Sequence, residues 1–320
     1  MTDENGTATA TMTRKNHRTK AQRQQKKARL ANALPSALRK LSACTICPRN
    51  CGVDRTQGEK GLCNTTDKAV VYGCMPHFGE EPPLSGSSGS GQNGSGTIFF
   101  SHCNLGCCFC QNDNISLRGE GEPAEPDQIA RAMLMLQDRG CHNINLVTPT
   151  HVVPFILQAL DLAMNKGLNI PLVYNTSGYE SPGTLSLLDD IVDIYMPDFK
   201  FWDPNVADMA CNAPDYPEIA RQAVKIMHGQ VGDLKLDENG IAVSGLLVRH
   251  LVLPDNLSGT GNILEFLAKE ISPDTRVNVM SQYHPVGKAR QIDGLSRPVS
   301  PQEFHRAVAT ARSLGLSLVR

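Results

Sequence analysis

From Thr97 onward, segments of strand periodicity alternate with segments of helix periodicity six times, and no other feature restricts the fold so tightly. Thr97-Ile-Phe-Phe-Ser101 reads as a strand. A helix follows, capped by Asp127, with Ile129, Ala132, Met133 and Leu136 on one face and Gly140 at its end. The next units are strand 143–147 with a helix over 156–163, strand 172–174 with a short helix near 185–188, and strand 192–196 with a helix over 218–228. Strand 246–251 with a helix over 263–269, and strand 276–280 with a helix opened by Ser300-Pro301 and boxed by Glu303, complete the series. Residues 235–243 interrupt it as a hairpin with an Asn239-Gly240 turn. Six units predict an α/β fold whose parallel sheet curls into an incomplete barrel, because eight are needed to close one. In such sheets the chemistry gathers where the strands end.

Ahead of this region the chain divides into a basic arm at 1–43 and a stretch at 44–96 holding a Cys-rich module and a Gly/Ser-rich loop; the partial barrel is 97–320. The net charge of −1 conceals an asymmetry, since residues 1–40 carry +8 and the remainder −9. A basic arm can meet nucleic acid or an acidic membrane, but this one shows no apolar periodicity through Arg29 and is expected to be a disordered extension. It lacks the apolar core of a secretory signal, and its Asp3 and Glu4 argue against a transit peptide. No run approaches the ~20 apolar residues of a membrane span, so a soluble, cytoplasmic protein without a membrane partner is expected. The Gly/Ser run lacks the Gly-Lys-Ser/Thr ending of a phosphate-binding loop and reads as a flexible surface loop.

Eight of the eleven Cys fall into two groups, Cys44/47/51/63 and Cys103/107/108/110. Without a signal peptide, clustered Cys favour metal over disulfides and a reducing compartment. The second group has the spacing C-x3-C-x2-C through Cys103, Cys107 and Cys110. Three soft thiolates suit an iron–sulfur cluster whose fourth iron stays open, with a three-ligand zinc site or buried small residues as the alternatives. The first group supplies four thiolates, which close a site and suit a structural zinc or an auxiliary Fe–S cluster. His77, Glu80 and Glu81 follow in what reads as a solvated acidic loop.

Cys-x3-Cys-x2-aromatic-Cys after the first strand of a half-open barrel resembles the radical S-adenosylmethionine (SAM) superfamily, and Cys110-Gln-Asn resembles its glycyl-radical-enzyme activating branch. More narrowly, His77-Phe-Gly-Glu-Glu-Pro-Pro-Leu-Ser85, His142-Asn-Ile-Asn-Leu-Val-Thr-Pro-Thr-His151, Tyr174-Asn-Thr-Ser-Gly-Tyr179 and Tyr195-Met-Pro-Asp-Phe-Lys200 resemble the pyruvate formate-lyase activating enzyme-like proteins. The resemblance implies an incomplete (β/α)6 barrel of radical SAM type, with a [4Fe–4S] cluster on Cys103, Cys107 and Cys110, SAM on its open iron, and Phe109 beside cluster and adenine. Cys108 is then a packed thiol. Where activating enzymes hold Gly-Gly-Glu for the SAM amino group, this chain has Val147-Thr148-Pro149-Thr150, which leaves Thr148 as the candidate. By the same resemblance Asn175, Thr176, Met196 and Asp198 match positions that hold a monovalent cation, weakened here because Asn replaces Asp. Lys200 stands beside that site, Arg249 pairs the methionyl carboxylate (with Asp198 as the alternative partner), and His284 faces ribose and methionine.

The function so implied is reductive cleavage of SAM to abstract hydrogen, directed at a glycyl radical enzyme. Radical modification of another protein or a small molecule is the alternative in the same class. A non-catalytic zinc adaptor with a nucleic-acid-binding arm is the alternative outside it, and nucleic acid is the less expected partner. A reductant such as flavodoxin or ferredoxin is required.

Overall fold

The computed structural model describes residues 19–86 and 94–319. The start of the basic arm, most of the Gly/Ser run and Arg320 lie outside the described residues. In chain order the strands are β1 (Ala69–His77), β2 (Ser95–Phe100), β3 (Glu122–Ala124), β4 (Ile144–Val147), β5 (Leu172–Thr176), β6 (Ile194–Pro197), β7 (Lys235–Leu236), β8 (Ala242–Leu251), β9 (Arg276–Met280) and β10 (Ser317–Leu318). The helices are α1 (Lys20–Arg39), α2 (Pro82–Ser85), α3 (Asp113–Ser116), α4 (Pro126–Asp138), α5 (Val153–Asn165), α6 (Pro182–Leu188), α7 (Pro204–Cys211), α8 (Tyr216–Val231), α9 (Thr260–Phe266) and α10 (Pro301–Ser313).

The strands form one mostly parallel sheet, ordered β10-β9-β8-β6-β5-β4-β2-β1-β3. Its parallel core, β2, β4, β5, β6, β8 and β9, is the set that the sequence pattern predicts. The hairpin is present as β7 antiparallel to β8, with Gly240 at φ +77°. β1 and β3 extend the sheet antiparallel beyond β2. β1 escaped the periodicity because Gly73 and Pro76 interrupt it and most of its side chains are only half-buried. α10 opens with the expected box, the Glu303 carboxylate accepting from the Ser300 amide at 2.8 Å. α4 starts earlier than expected. Its cap is Glu125, whose amide donates to the Gln128 side chain at 2.7 Å, and Asp127 instead pairs with Arg131 at 2.5 Å.

Strand alternation assigns the faces. Tyr174, Tyr195, Leu246 and Val248 join the main core, whereas Val173, Ile194, Met196 and Leu247 face the other way and meet Leu84 of α2 in a second apolar cluster. The Asn143 side-chain amide donates to the Leu84 carbonyl at 2.9 Å and its oxygen accepts the Ser95 hydroxyl at 2.7 Å, which pins α2 across this face. α2 thereby makes a floor beneath the strand ends.

The expected disordered arm is corrected from residue 20 onward. Thr19 and Gln22 form a capping box, and α1 buries Leu30, Ala33 and Ala37. It packs on α5 and α6. Its charges do not repel this docking because they are paired. Lys26 meets Asp193 at 2.8 Å with both side chains buried, and Arg29 meets Asp189 at 2.8 Å and Asp190 at 3.1 Å. Among the described residues no helix is long and apolar enough to cross a membrane.

Candidate active site

The strand ends open into one cavity of about 940 Å³. Cys103, Cys107 and Cys110 line it together, delivered by the loop between β2 and α3. Two of the sulfurs have a donor aimed at them: the Leu105 amide lies 3.4 Å from the Cys103 Sγ and the Ser116 hydroxyl donates to the Cys110 Sγ at 3.0 Å. The Cys211 thiol neighbours Cys107. Burial pushes Cys103 up to about 11, with repulsion from Cys107 adding to it, and also raises Cys110. Cys107 is lowered, chiefly by Cys211 beside it. Donors on sulfur favour the thiolate, so the set suits a cofactor that binds thiolates and supplies the positive charge that burial demands. Cys108 stays out of the cavity wall, its amide bonded to the Ala210 carbonyl at 2.8 Å.

Phe109 lines the cavity beside these thiols, edge-on to Tyr283 at 5.4 Å and to Phe201 at 6.0 Å. Thr148, Asn175, Thr176, Asp198 and Lys200 form a polar wall. Thr148 holds φ +58°, a left-handed conformation costly for a β-branched residue and kept here at the cavity wall. Lys200 pairs with Asp198 at 2.5 Å; burial opposes its charge, but the carboxylate outweighs burial and keeps the ammonium protonated.

Three expected residues are placed otherwise. Met196 points at the floor and packs with Leu84, so its side chain lies beneath the cavity rather than in its wall. Asn175, Thr176 and Asp198, the other positions expected to hold a cation, share the wall, and Asp198 pairs there with Lys200 through Oδ2. His284 is exposed and turned away, because the loop after β9 buries Tyr283 under Phe109 and presents Gln282 and Tyr283 to the cavity. Arg249 does line the cavity, but its partner is neither Asp198 nor a free space for a carboxylate. Its Nε and Nη2 make a two-pronged bond to Glu81 at 2.7 Å each, and Nη2 also bonds Glu80. Asn278 donates to Glu81 at 2.7 Å. The carboxylates read as solvated are thus buried, meeting a guanidinium under the strand ends, while Phe78 beside them stays exposed. His77 lies 3.5 Å from Glu80 and is raised by that contact. Burial alone would raise Glu80, but His77 and Arg249 hold it below the usual carboxylate range.

The amino-terminal thiols also gather. Cys44, Cys47 and Cys63 are buried and Cys51 is half-buried, and their mutual repulsion is felt at Cys47, which burial pushes up to about 12. The Cys44 amide donates to the Val53 carbonyl and the Asn50 amide to the Cys47 carbonyl, each at 3.0 Å. Asn50 and Gly52 take positive φ to make this knuckle. A Cβ on Gly61 would come 2.5 Å from the Cys51 Sγ, so the chain passes close to this sulfur there. Among the described residues no group of three or more His, Cys, Asp or Glu side chains closes around one point as a single ion requires.

Sequence reasoning missed Cys211, Arg49 and Glu180. Glu180 is buried behind the polar wall and accepts from Thr150 at 2.5 Å, from Tyr174 at 3.3 Å and from Thr176. A Cys on a helix end or a Glu in a turn carries no local signal of such contacts.

Residues 97–233, which hold the three cavity thiols and most of the polar wall, match the model of the Radical SAM superfamily. Residues 97–233 read as a radical SAM domain. The chain is 29% identical over 286 residues to an uncharacterized protein of Methanocaldococcus jannaschii, covering 86% of this chain and 76% of that one. Among solved structures it is similar to SuiB of Streptococcus suis bound to S-adenosylmethionine, with 12% identity over 68% of this chain and 48% of that one at a TM-score of 0.44. It is also similar to a radical SAM methyltransferase from Sphaerobacter thermophilus, with 15% identity over 70% of this chain and 65% of that one at a TM-score of 0.46. The chain thus spans between about half and two thirds of the length of these structures. The radical SAM domain implies a [4Fe–4S] cluster and SAM, and the three thiols beside a cavity of this size fit both.

Proposed function

We propose that this protein is a radical SAM enzyme with its [4Fe–4S] cluster on Cys103, Cys107 and Cys110. The observation that carries the reading is that these three thiols share one cavity with the polar strand ends of the matched domain. When bound, cluster and SAM supply a one-electron cleavage that releases methionine and a hydrogen-abstracting 5′-deoxyadenosyl radical. Phe109 packs against the cofactor. Thr148, Asn175 and Thr176 offer hydroxyl, amide and carbonyl groups to its amino-acid end, and the Lys200–Asp198 pair fixes the charge beside them. Glu80, Glu81 and Arg249 form a polar floor that keeps the substrate end of the cavity ordered. The first thiol group, Cys44, Cys47, Cys51 and Cys63, holds zinc or a second Fe–S cluster.

The acceptor is a protein, in the first instance a glycyl radical enzyme activated by hydrogen abstraction; another protein or a small molecule is the second reading. A flavodoxin or ferredoxin delivers the electron in the cytoplasm. Anaerobic reconstitution followed by assay for 5′-deoxyadenosine tests the chemistry. Wild type should carry about four iron and four sulfide in the barrel and cleave SAM. Cys103→Ala, Cys107→Ala and Cys110→Ala should each lose cleavage, and Cys108→Ala should keep it. Loss of the cluster in Cys108→Ala with retention in Cys107→Ala would overturn the ligand assignment.

A further inference from the structure

Arg49 lies between Cys47 and Cys51 in the first thiol knuckle, yet its side chain serves the second thiol group. Its guanidinium donates to four main-chain carbonyls: Asn104 at 3.0 Å, Leu105 at 3.1 Å, Cys211 at 2.8 Å and Asn212. Asn104 and Leu105 belong to the loop between Cys103 and Cys107. Cys211 and Asn212 end α7, where the Cys211 thiol meets Cys107. The guanidinium also lies 5.2 Å above the Tyr179 ring, and the Asn104 side chain donates to the Tyr179 carbonyl at 2.8 Å. At its other end the Arg49 backbone is part of the knuckle, closed by the Asn50 amide donating to the Cys47 carbonyl at 3.0 Å. One residue therefore belongs to the knuckle of the first group through its backbone and bonds to the loop of the second through its side chain. Its charge goes to carbonyls and to none of the carboxylates among the described residues.

We infer that Arg49 is a positioning residue through which the first thiol group sets the geometry and the reduction potential of the radical cluster. The inference rests on the proposed cluster assignment. With the four amino-terminal thiols drawn together, the knuckle is fixed and its arginine holds the 103–107 loop and the Cys211 thiol in register. With that group opened, the clamp loses its base and the loop loosens. A cation at this place also favours the more negative, reduced cluster, and so raises its potential.

The test uses the full-length, anaerobically reconstituted protein. Arg49→Gln removes charge and fork together; Arg49→Lys keeps the charge and loses the fork. In Arg49→Gln the midpoint potential followed by EPR should move to more negative values. Amides 103–110 should exchange hydrogen about tenfold faster, on the scale of one hydrogen bond to a charged group. Arg49→Lys should restore the potential but not the slow exchange. Opening the first group with Cys44→Ser and Cys63→Ser should speed exchange of the same loop in wild type and add little in Arg49→Gln, because both changes act through one clamp. Unchanged potential and exchange in Arg49→Gln, or fully additive effects, would overturn the inference. If Arg49→Gln does not fold, Arg49→Lys decides through the exchange rate alone. Wild type that holds no barrel iron and forms no 5′-deoxyadenosine would instead overturn the proposed function.

Discussion

Glu180 shows how a residue acquires its chemistry only by folding. It is 1% exposed and receives three hydroxyls but no cation among its bonds, and burial pushes it up to about 7 from an ordinary 4.5. The folded protein therefore favours the protonated acid. Its contribution to stability is complete below the unfolded value and is lost as pH rises through about 7. Glu180→Gln should remove that part of the pH dependence and be more stable than wild type at pH 8, by on the order of 3 kcal/mol. Chemical denaturation at pH 5 and pH 8 checks this; an equal difference between wild type and variant at both values sinks it. Nothing in Gly178-Tyr179-Glu180-Ser181 announces the burial. The cavity thiols were legible because a spacing on one loop survives folding, and so was Phe109 between them. Met196 and His284 were not, since a one-residue step on a strand or loop turns a side chain to the other face.

At the scale of elements, α2 lies between the two stretches read as loops and is the floor of the cavity. Leu84 is fully buried there, and Leu84→Ala should cost about 2–5 kcal/mol by denaturant titration. Arg249 ties the floor to β8. Removing it leaves two buried carboxylates facing each other, and breaking a buried pair costs roughly 3–5 kcal/mol. Arg249→Met should therefore destabilise the cofactor-free protein, and Glu81→Gln should recover part of that loss. Full stability in Arg249→Met together with weakened SAM binding would restore the cofactor role and refute the structural one. The six strand–helix units were legible because each strand is buried on both faces or alternates cleanly. α1 was misread because its charges dominated its pattern. Lys26 and Arg29 look like a solvated face until Asp193, Asp189 and Asp190, more than 150 residues away, are brought beside them. Those pairs also tie part of the basic segment to the domain.

For the whole molecule the deciding question is whether the first thiol group is a source of folding energy. Cys44, Cys47 and Cys63 are 4%, 7% and 7% exposed, and Cys47 carries the strain of that burial as a raised pKa. Buried thiols that repel one another when ionised are held most cheaply around a cation, and metal that binds only the folded state adds its binding free energy to stability. The segment so closed, from Cys44 to Cys63, joins α1 to β1 and carries Arg49 against the barrel loop. A variant lacking Cys103, Cys107 and Cys110 should thus retain about one metal centre per chain. If that centre is zinc, its sulfur distances should be ~2.3 Å by X-ray absorption; if it is a cubane, about four iron should remain. Stripping it with a strong chelator should lower the melting temperature of this variant by several degrees, and adding the same metal back should restore it. Metal-free protein with an unchanged melting temperature after chelation would show that the thiols pack as small apolar residues, and that the fold stands without them.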